Sequence, residues 1–515
     1  MSSRFAPLSY EKPKGLLVVK GDVLIERLIR QLREAGISDI TIVVGYRKEM
    51  FFYLEEKMHV DIVINDDYYQ YNNPSSLIRV LDKLDNTYIC SSDDYYTENV
   101  FIEQPIESYY AAQYSSGKSD EYCLQTDDND TITEVTRGGC DSWYMIGHAY
   151  FNHAYSTQFC ELLKADYATS ECKASLWEDF YMRHLDVLHM QIKRYKEGTI
   201  YEFDSLDELR LFDPLYINNT DSAIMRNICS VLQCQEADIQ DIHAIKQGLT
   251  NTSFYFRNTA DGEQYVYRHP GVGTDDYINR KSEAYSMRYA QELGLDNTFI
   301  YMDEDEGWKI SHYLDGCHTL DYHNEEEVNT AIKIMRKLHD ANIHSSYDFG
   351  LWNKTLDFVH KVRRNGYADF PDFEELFSQM ESLHVFTQAD NIKPRLVHGD
   401  CYDPNFLIDK NGKMSLIDWE YSSNDDPGTD LGTFICCCAD YTEENAHDII
   451  CRYLGGEAEP SIMRHYYAYV ALAAYCWFVW AVYLNSIGNN VGEYLYLWYK
   501  MSKQYYNIAI ALYQN

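Results

Sequence analysis

The stretch 395–422 constrains this chain more than any other. It runs from Arg395-Leu396-Val397-His398-Gly399-Asp400 through Asn405-Phe406-Leu407-Ile408, and after a short turn reaches Leu416-Ile417-Asp418-Trp419-Glu420-Tyr421-Ser422. Apolar, strand-like runs alternate with polar groups, so Asp400, Asn405 and Asp418 fall at strand ends and turns. That spacing suits phosphoryl transfer. One carboxylate orients an attacking hydroxyl and accepts its proton, and an Asn and a second carboxylate hold the Mg²⁺ ions that neutralise ATP phosphates.

A chain of 515 residues is expected to hold two or three domains. Its formal charge of −37 is spread along the sequence, which excludes nucleic acid and anionic membrane as natural partners. The 14 cysteines contain no C-x-x-C pair and read as reduced thiols of a cytoplasmic protein. No signal-peptide pattern opens the sequence. Residues 466–484 are uncharged and long enough to span a bilayer, but tyrosines and tryptophans are scattered through them rather than placed at the ends. A buried helix is the expectation there.

The chain divides into 1–212, a linker at 213–222, and 223–515. The first part alternates helices and strands: an apolar run at 15–19, a helix over 23–35 stopped by Gly36, and strands at 39–44, 60–64 and 87–90. A further helical pattern covers 75–84. This alternation predicts an α/β domain with a doubly wound, mostly parallel sheet, in which ligands bind beyond the carboxyl ends of the strands. Asp93 and Asp94 stand just past such an end, where a metal-binding carboxylate belongs, although an Asp there also serves as a turn former.

In the last part, a turn at 249–254 separates two strand-like runs. The strand 264–268 ends in Arg268, and Glu283 follows in a helical stretch. A phosphate-contacting cation paired with a helix carboxylate is the kinase arrangement.

These residues carry two resemblances. Ser3-Arg4-Phe5-Ala6-Pro7-Leu8, Lys12-Pro13-Lys14-Gly15, Ser91-Ser92-Asp93-Asp94-Tyr95 and Tyr201-Glu202-Phe203-Asp204-Ser205 resemble the nucleotidyltransferases, the bacterial CTP:phosphocholine cytidylyltransferases in particular, over about 2–212. The resemblance implies that Arg4 and Lys14 contact nucleotide phosphates and that Asp93 and Asp204 hold Mg²⁺. The family opens with a strand and a Gly-rich loop just before the Ser-Arg pair. Here Met1-Ser2 stand in their place, so the first strand is expected to be missing: either the true start lies upstream of this methionine, which later motifs that remain intact favour, or this half is impaired, and the chain as written is expected to be weakly active in it.

Gly248-Leu249-Thr250-Asn251, Tyr267-Arg268-His269-Pro270-Gly271, Val397-His398-Gly399-Asp400 and Ile417-Asp418-Trp419-Glu420 resemble the choline kinases, within the aminoglycoside-phosphotransferase-like fold. That resemblance implies an α+β, two-lobed, protein-kinase-like domain. In it Asp400 is the base, Asn405 and Asp418 are Mg²⁺ ligands, and Arg268 lies on the ATP phosphates. Gly248, Thr250, Asn251 and Glu283 would serve nucleotide binding, with Ser311 and Tyr313 on the strand passing the adenine.

A quaternary ammonium is recognised by aromatic faces and carboxylates. Trp419, Glu420, Tyr421, Asp430, Tyr475, Trp477 and Trp480 are the candidates for that cage in the kinase half, and Tyr144, Trp177, Glu178 and Tyr181 in the other. Any one of them also suits ordinary core packing. Jointly the halves imply consecutive steps: choline and ATP give phosphocholine, then phosphocholine and CTP give CDP-choline. The alternatives are another amino alcohol, a sugar phosphate with UTP or CTP, or a first half that binds nucleotide without catalysis.

Overall fold

The structure is a computed structural model that describes residues 5–245, 251–271, 274, 278–366, 369–488 and 491–514. It resolves into two compact units, Met1–Ala244 and Ile245–Asn515.

In the first unit the helix Leu24–Glu34 buries Leu24, Ile25, Leu28, Ile29 and Leu32 on one face, the stripe that a 3.6-residue period dictates. It ends as the sequence predicts. Gly36 adopts φ +90°, its N–H bonds the Arg33 carbonyl, and the Ile37 N–H bonds the Leu32 carbonyl. Glycine tolerates that left-handed turn without a Cβ penalty.

Strand Thr41–Val44 pairs in parallel with Asp61–Ile64. A separate sheet has the order Thr87–Cys90, Ile132–Phe151, Tyr109–Thr126, Gln191–Arg194. Here the expectation of a mostly parallel sheet is corrected. Thr87–Cys90 pairs antiparallel with Ile132–Phe151, which pairs antiparallel with Tyr109–Thr126, and only Gln191–Arg194 joins in parallel. The reason is the hairpin of 18- and 20-residue strands, which closes through a short turn where a parallel pair would need a crossover. Among the described residues, no strand links this sheet to the 41–44 ladder. The helical pattern at 75–84 is a short helix Pro74–Leu77 running into a 3₁₀ segment, Ile78–Lys83, kinked at Val80.

In the second unit, strands Thr252–Asn258, Gln264–His269, Lys309–His312 and Phe299–Met302 lie side by side, all antiparallel. Alternation puts Phe254, Phe256, Tyr265 and Tyr267 inside. The helix Arg280–Glu292 accompanies this sheet. The remainder is mainly helical around the segment that carries Asp400. Strand Arg395–Val397 pairs with Ser423–Asp425, and the hairpin Phe406–Ile408/Met414–Leu416 lies between them in sequence. The helix Pro460–Ser486 is long and apolar enough to cross a membrane, yet 94% of its most apolar window is buried inside the protein. Its tyrosines and tryptophans pack the core.

Candidate active sites

The strand register builds the first site. Arg268 and Lys309 are directly opposite across the antiparallel pair Gln264–His269/Lys309–His312. Two like charges facing each other repel, and here two carboxylates resolve the conflict. Arg268 Nη1 lies 2.6 Å from Glu283 Oε1 and 3.2 Å from Asp418 Oδ1. Lys309 Nζ lies 3.4 Å from the same Glu283 oxygen and 3.5 Å from the same Asp418 oxygen. Glu283 is fully buried. Burial alone would raise its pKa, but Arg268, then Lys309 and Arg280, pull it down to about 2. Reading the sequence singled out Arg268, Glu283 and Asp418 but missed Lys309 as their fourth member. Its only signal was a basic residue opening an alternating strand.

Asp418 holds φ +66°, a backbone region costly for a residue with a Cβ and often reserved for functional turns. Asn405, buried on a 3₁₀ turn, donates through Nδ2 to the Asp400 carbonyl at 2.8 Å and to Asp400 Oδ2 at 3.0 Å. With the amide nitrogen committed and the main-chain carbonyl accepting the Ile417 N–H, the side-chain oxygen Oδ1 of Asn405 remains for a cation. Burial pushes the Asp400 carboxyl up to about 8, with Asp418 and Glu420 adding to the rise and Lys354 and Asn405 opposing it. Carboxylate and amide oxygens make a hard donor set that fits Mg²⁺.

The loop bearing Asp400 is clamped from below. Asp430 accepts the His398 N–H at 2.9 Å, the Gly399 N–H at 2.6 Å and a bond from His339 Nε2 at 2.9 Å. His398 Nδ1 accepts the Asp400 N–H, so its Nε2 donates to the Ile417 carbonyl at 2.9 Å. Gly399 has φ +82°, and a Cβ there would sit 2.4 Å from the Tyr421 carbonyl oxygen.

The residues expected to form an ammonium cage have different surroundings. Asp430 is wholly buried beneath the loop, so it organises Asp400 and is not open to a substrate. Trp419 is also wholly buried, its Nε1 donating to the Leu416 carbonyl and its ring packed on His398. Tyr475 belongs to the core. Glu420 meets two other candidate residues: Asn251 Nδ2 donates to it at 2.9 Å and Arg268 Nη1 is 3.8 Å away. Burial, reinforced by Asp418, raises its carboxyl to about 7. The Trp477 ring lies 5.5 Å from that of Tyr421 and 5.7 Å from that of Trp480, centroid to centroid. Ser311 and Tyr313 are half-buried, and Tyr313 stacks on Tyr255 at 5.0 Å. Gly248 and Thr250 lie outside the described residues.

The second site is in the first unit. Lys14 Nζ donates to the Phe203 carbonyl at 2.7 Å and lies 3.4 Å from Asp93 Oδ2 and 4.0 Å from Asp204 Oδ1. Three residues far apart in sequence thus meet at one ammonium. Gly15 lets this segment pass Ser92, whose Oγ a Cβ would approach to 2.8 Å. Asp204 precedes the helix Leu206–Phe212, whose Ser205 cap accepts from the Glu208 N–H while Glu208 accepts from the Asp204 N–H. The neighbouring Asp94 is buried, and burial together with Asp93 pushes its carboxyl well above the usual range. Two carboxylates of oxygen donors again fit a hard divalent cation. Arg4 lies outside the described residues.

The ligand candidates of this unit make none of that cluster's ion pairs. Trp177 is buried, stacked on Tyr110 at 5.5 Å, and Tyr181 is wholly buried. Glu178 accepts from the Tyr110 hydroxyl at 3.1 Å, and burial raises its carboxyl to about 7. Tyr144 is half-buried on the long hairpin.

Both parts of the chain match known families. The Choline/ethanolamine kinase family matches residues 242–482 and the MobA-like NTP transferase domain matches residues 1–115. A 2-aminoethylphosphonate cytidylyltransferase of Lancefieldella rimae is 32% identical over 221 residues, 42% of this chain and 90% of that protein. A choline-phosphate cytidylyltransferase of Streptococcus pneumoniae is 29% identical over 218 residues, 42% of this chain and 95% of that protein. The crystal structure of choline kinase LicA from Streptococcus pneumoniae has 21% identity, a TM-score of 0.46, and covers 58% of this chain and 99% of its own. The chain belongs to the cytidylyltransferase family through its first part and carries a choline/ethanolamine-kinase domain in its second, a fusion of two transferases.

Proposed function

We propose that the second unit transfers the γ-phosphate of ATP to choline and that the first unit joins the resulting phosphocholine to CMP from CTP. The observation that carries the kinase reading is Asp400 held by Asn405 at 3.0 Å and acted on by the charge of Asp418, which in turn pairs with Arg268 and Lys309. Asp400 orients the choline hydroxyl and accepts its proton as oxygen attacks phosphorus. Asn405 and Asp418 are the residues to hold Mg²⁺, which supplies charge neutralisation on the phosphates. Arg268 and Lys309 face the phosphate end. In the first unit Lys14 contacts the CTP phosphates, Asp93 and Asp204 hold Mg²⁺, and phosphocholine attacks the α-phosphorus with pyrophosphate leaving.

The pairing supports consecutive steps, because a kinase makes the phosphomonoester that a nucleotidyltransferase consumes. The fourteen cysteines, scattered with no C-x-x-C pair, support a reducing, cytoplasmic setting. One observation favours a second reading for the first unit: its 32% identical relative is named for 2-aminoethylphosphonate, a primary ammonium on a phosphonate. Incubation with ATP, CTP and Mg²⁺ plus choline, ethanolamine or 2-aminoethylphosphonate, with products identified by mass, tests both. CDP-choline from choline is expected. A cytidylyl product from 2-aminoethylphosphonate alone would replace the choline reading.

A further inference from the structure

Lys354 is a buried cation to which the chemistry above gives no part beyond lowering the Asp400 carboxyl. It lies in the first turn of the helix Leu351–Asn365 and is 3% exposed. A helix N-terminus carries partial positive charge, so an ammonium there gains nothing from its own helix. Among the described residues no carboxylate lies within 4.0 Å to pair with it. An ammonium taken out of water needs replacements for its hydration.

The replacements are one carbonyl and two ring faces. Lys354 Nζ stands 3.4 Å from the Gly399 carbonyl oxygen. It lies 4.4 Å from the Tyr421 ring centroid and 4.6 Å from that of Trp477. The two rings meet at 77° and form a corner that the ammonium fills. Cation–π attraction is strongest in such a desolvated corner.

Gly399 is the residue before Asp400, and it is gripped at both of its backbone groups. Asp430 takes its N–H at 2.6 Å and Lys354 takes its carbonyl. Its positive φ and the lack of space for a Cβ leave this peptide one way to lie.

We propose that Lys354 is a positioning residue for the catalytic loop: its ammonium fixes the Gly399 carbonyl and so the direction of Asp400, and Tyr421 and Trp477 serve to hold that ammonium rather than the substrate's. This rests on the kinase reading of Asp400. It follows that the ammonium of the amino alcohol is recognised outside the Tyr421–Trp477 corner.

The test uses the full chain and two independent readouts. In Lys354→Met, hydrogen–deuterium exchange of amides in 398–405 should quicken about tenfold. The kcat for choline phosphorylation should fall about 10- to 100-fold with KM for choline held within about twofold. Lys354→Arg keeps a charge and donors and should restore both to within about threefold of the parent. Trp477→Leu should quicken the same amides and add little to Lys354→Met in the double variant. If Lys354→Met does not fold, judged by circular dichroism, the Trp477→Leu exchange carries the test. Unchanged exchange at 398–405 overturns the proposal. So does a rise of about tenfold or more in KM for choline with kcat unchanged, which would mark the corner as the substrate's own. Absence of phosphorylation of any amino alcohol by the parent would defeat the proposed function alone, because the exchange result stands without turnover.

Discussion

Arg268 and Glu283 meet at 2.6 Å with both side chains withdrawn from solvent. One lies on a strand and the other on a helix, so this pair ties the helix Arg280–Glu292 to the sheet and to Asp418. Removing one member of a buried pair strands the other, a cost on the order of 3–5 kcal/mol.

The pair gives a pH signature. Glu283 is held at about 2 against an ordinary 4.5, so its contribution to stability is complete above about pH 4.5 and is lost as pH falls towards 2. Glu283→Gln is expected to be less stable than the parent at pH 7, with the gap narrowing below pH 4.5. Urea unfolding of both proteins at pH 7 and at pH 3 checks this. A gap that does not change between those values would remove the ion pair as its cause.

Asp400→Ala removes both nucleophile orientation and proton acceptance. It should lower kcat for phosphorylation by about two to four orders of magnitude with the fold retained. Coupled ADP detection together with circular dichroism measures this, and near-normal turnover would refute Asp400 as the base.

Trp419→Ala separates core from cage. Because Trp419 is wholly buried with its Nε1 bonded to the Leu416 carbonyl, the loss should appear as about 3–5 kcal/mol of stability. A variant that folds as well as the parent but needs far more choline would return Trp419 to the substrate site.

Asp93→Ala and Asp204→Ala should each abolish cytidylyl transfer and leave choline phosphorylation intact, since Lys14 gathers these two carboxylates at 3.4 and 4.0 Å in a site of its own. Following CTP-derived pyrophosphate and ATP-derived ADP separately in each variant decides it. Loss of the kinase activity would contradict independent sites.

Much of this was legible in the sequence. The spacing of Asp400, Asn405 and Asp418 pointed to phosphoryl transfer because those groups stand on one short strand-turn-strand segment, where distance along the chain dictates distance in space. The helix at 24–34 and its glycine stop were equally local. The order of motifs at Lys14, Asp93 and Asp204 carried the family of the first unit.

Tertiary structure decided the rest, because the deciding contacts join residues that sequence spacing does not relate. Antiparallel register, not proximity along the chain, sets Lys309 opposite Arg268 and makes one charge cluster with Glu283 and Asp418. The long hairpin decided that Thr87–Cys90 pairs antiparallel. Aromatic and acidic residues near a catalytic motif look alike on paper. Only packing directs Asp430 beneath the loop, Trp419 into the core and the Lys354 ammonium between Tyr421 and Trp477, since each buried polar group must find its partner wherever the folded chain offers one.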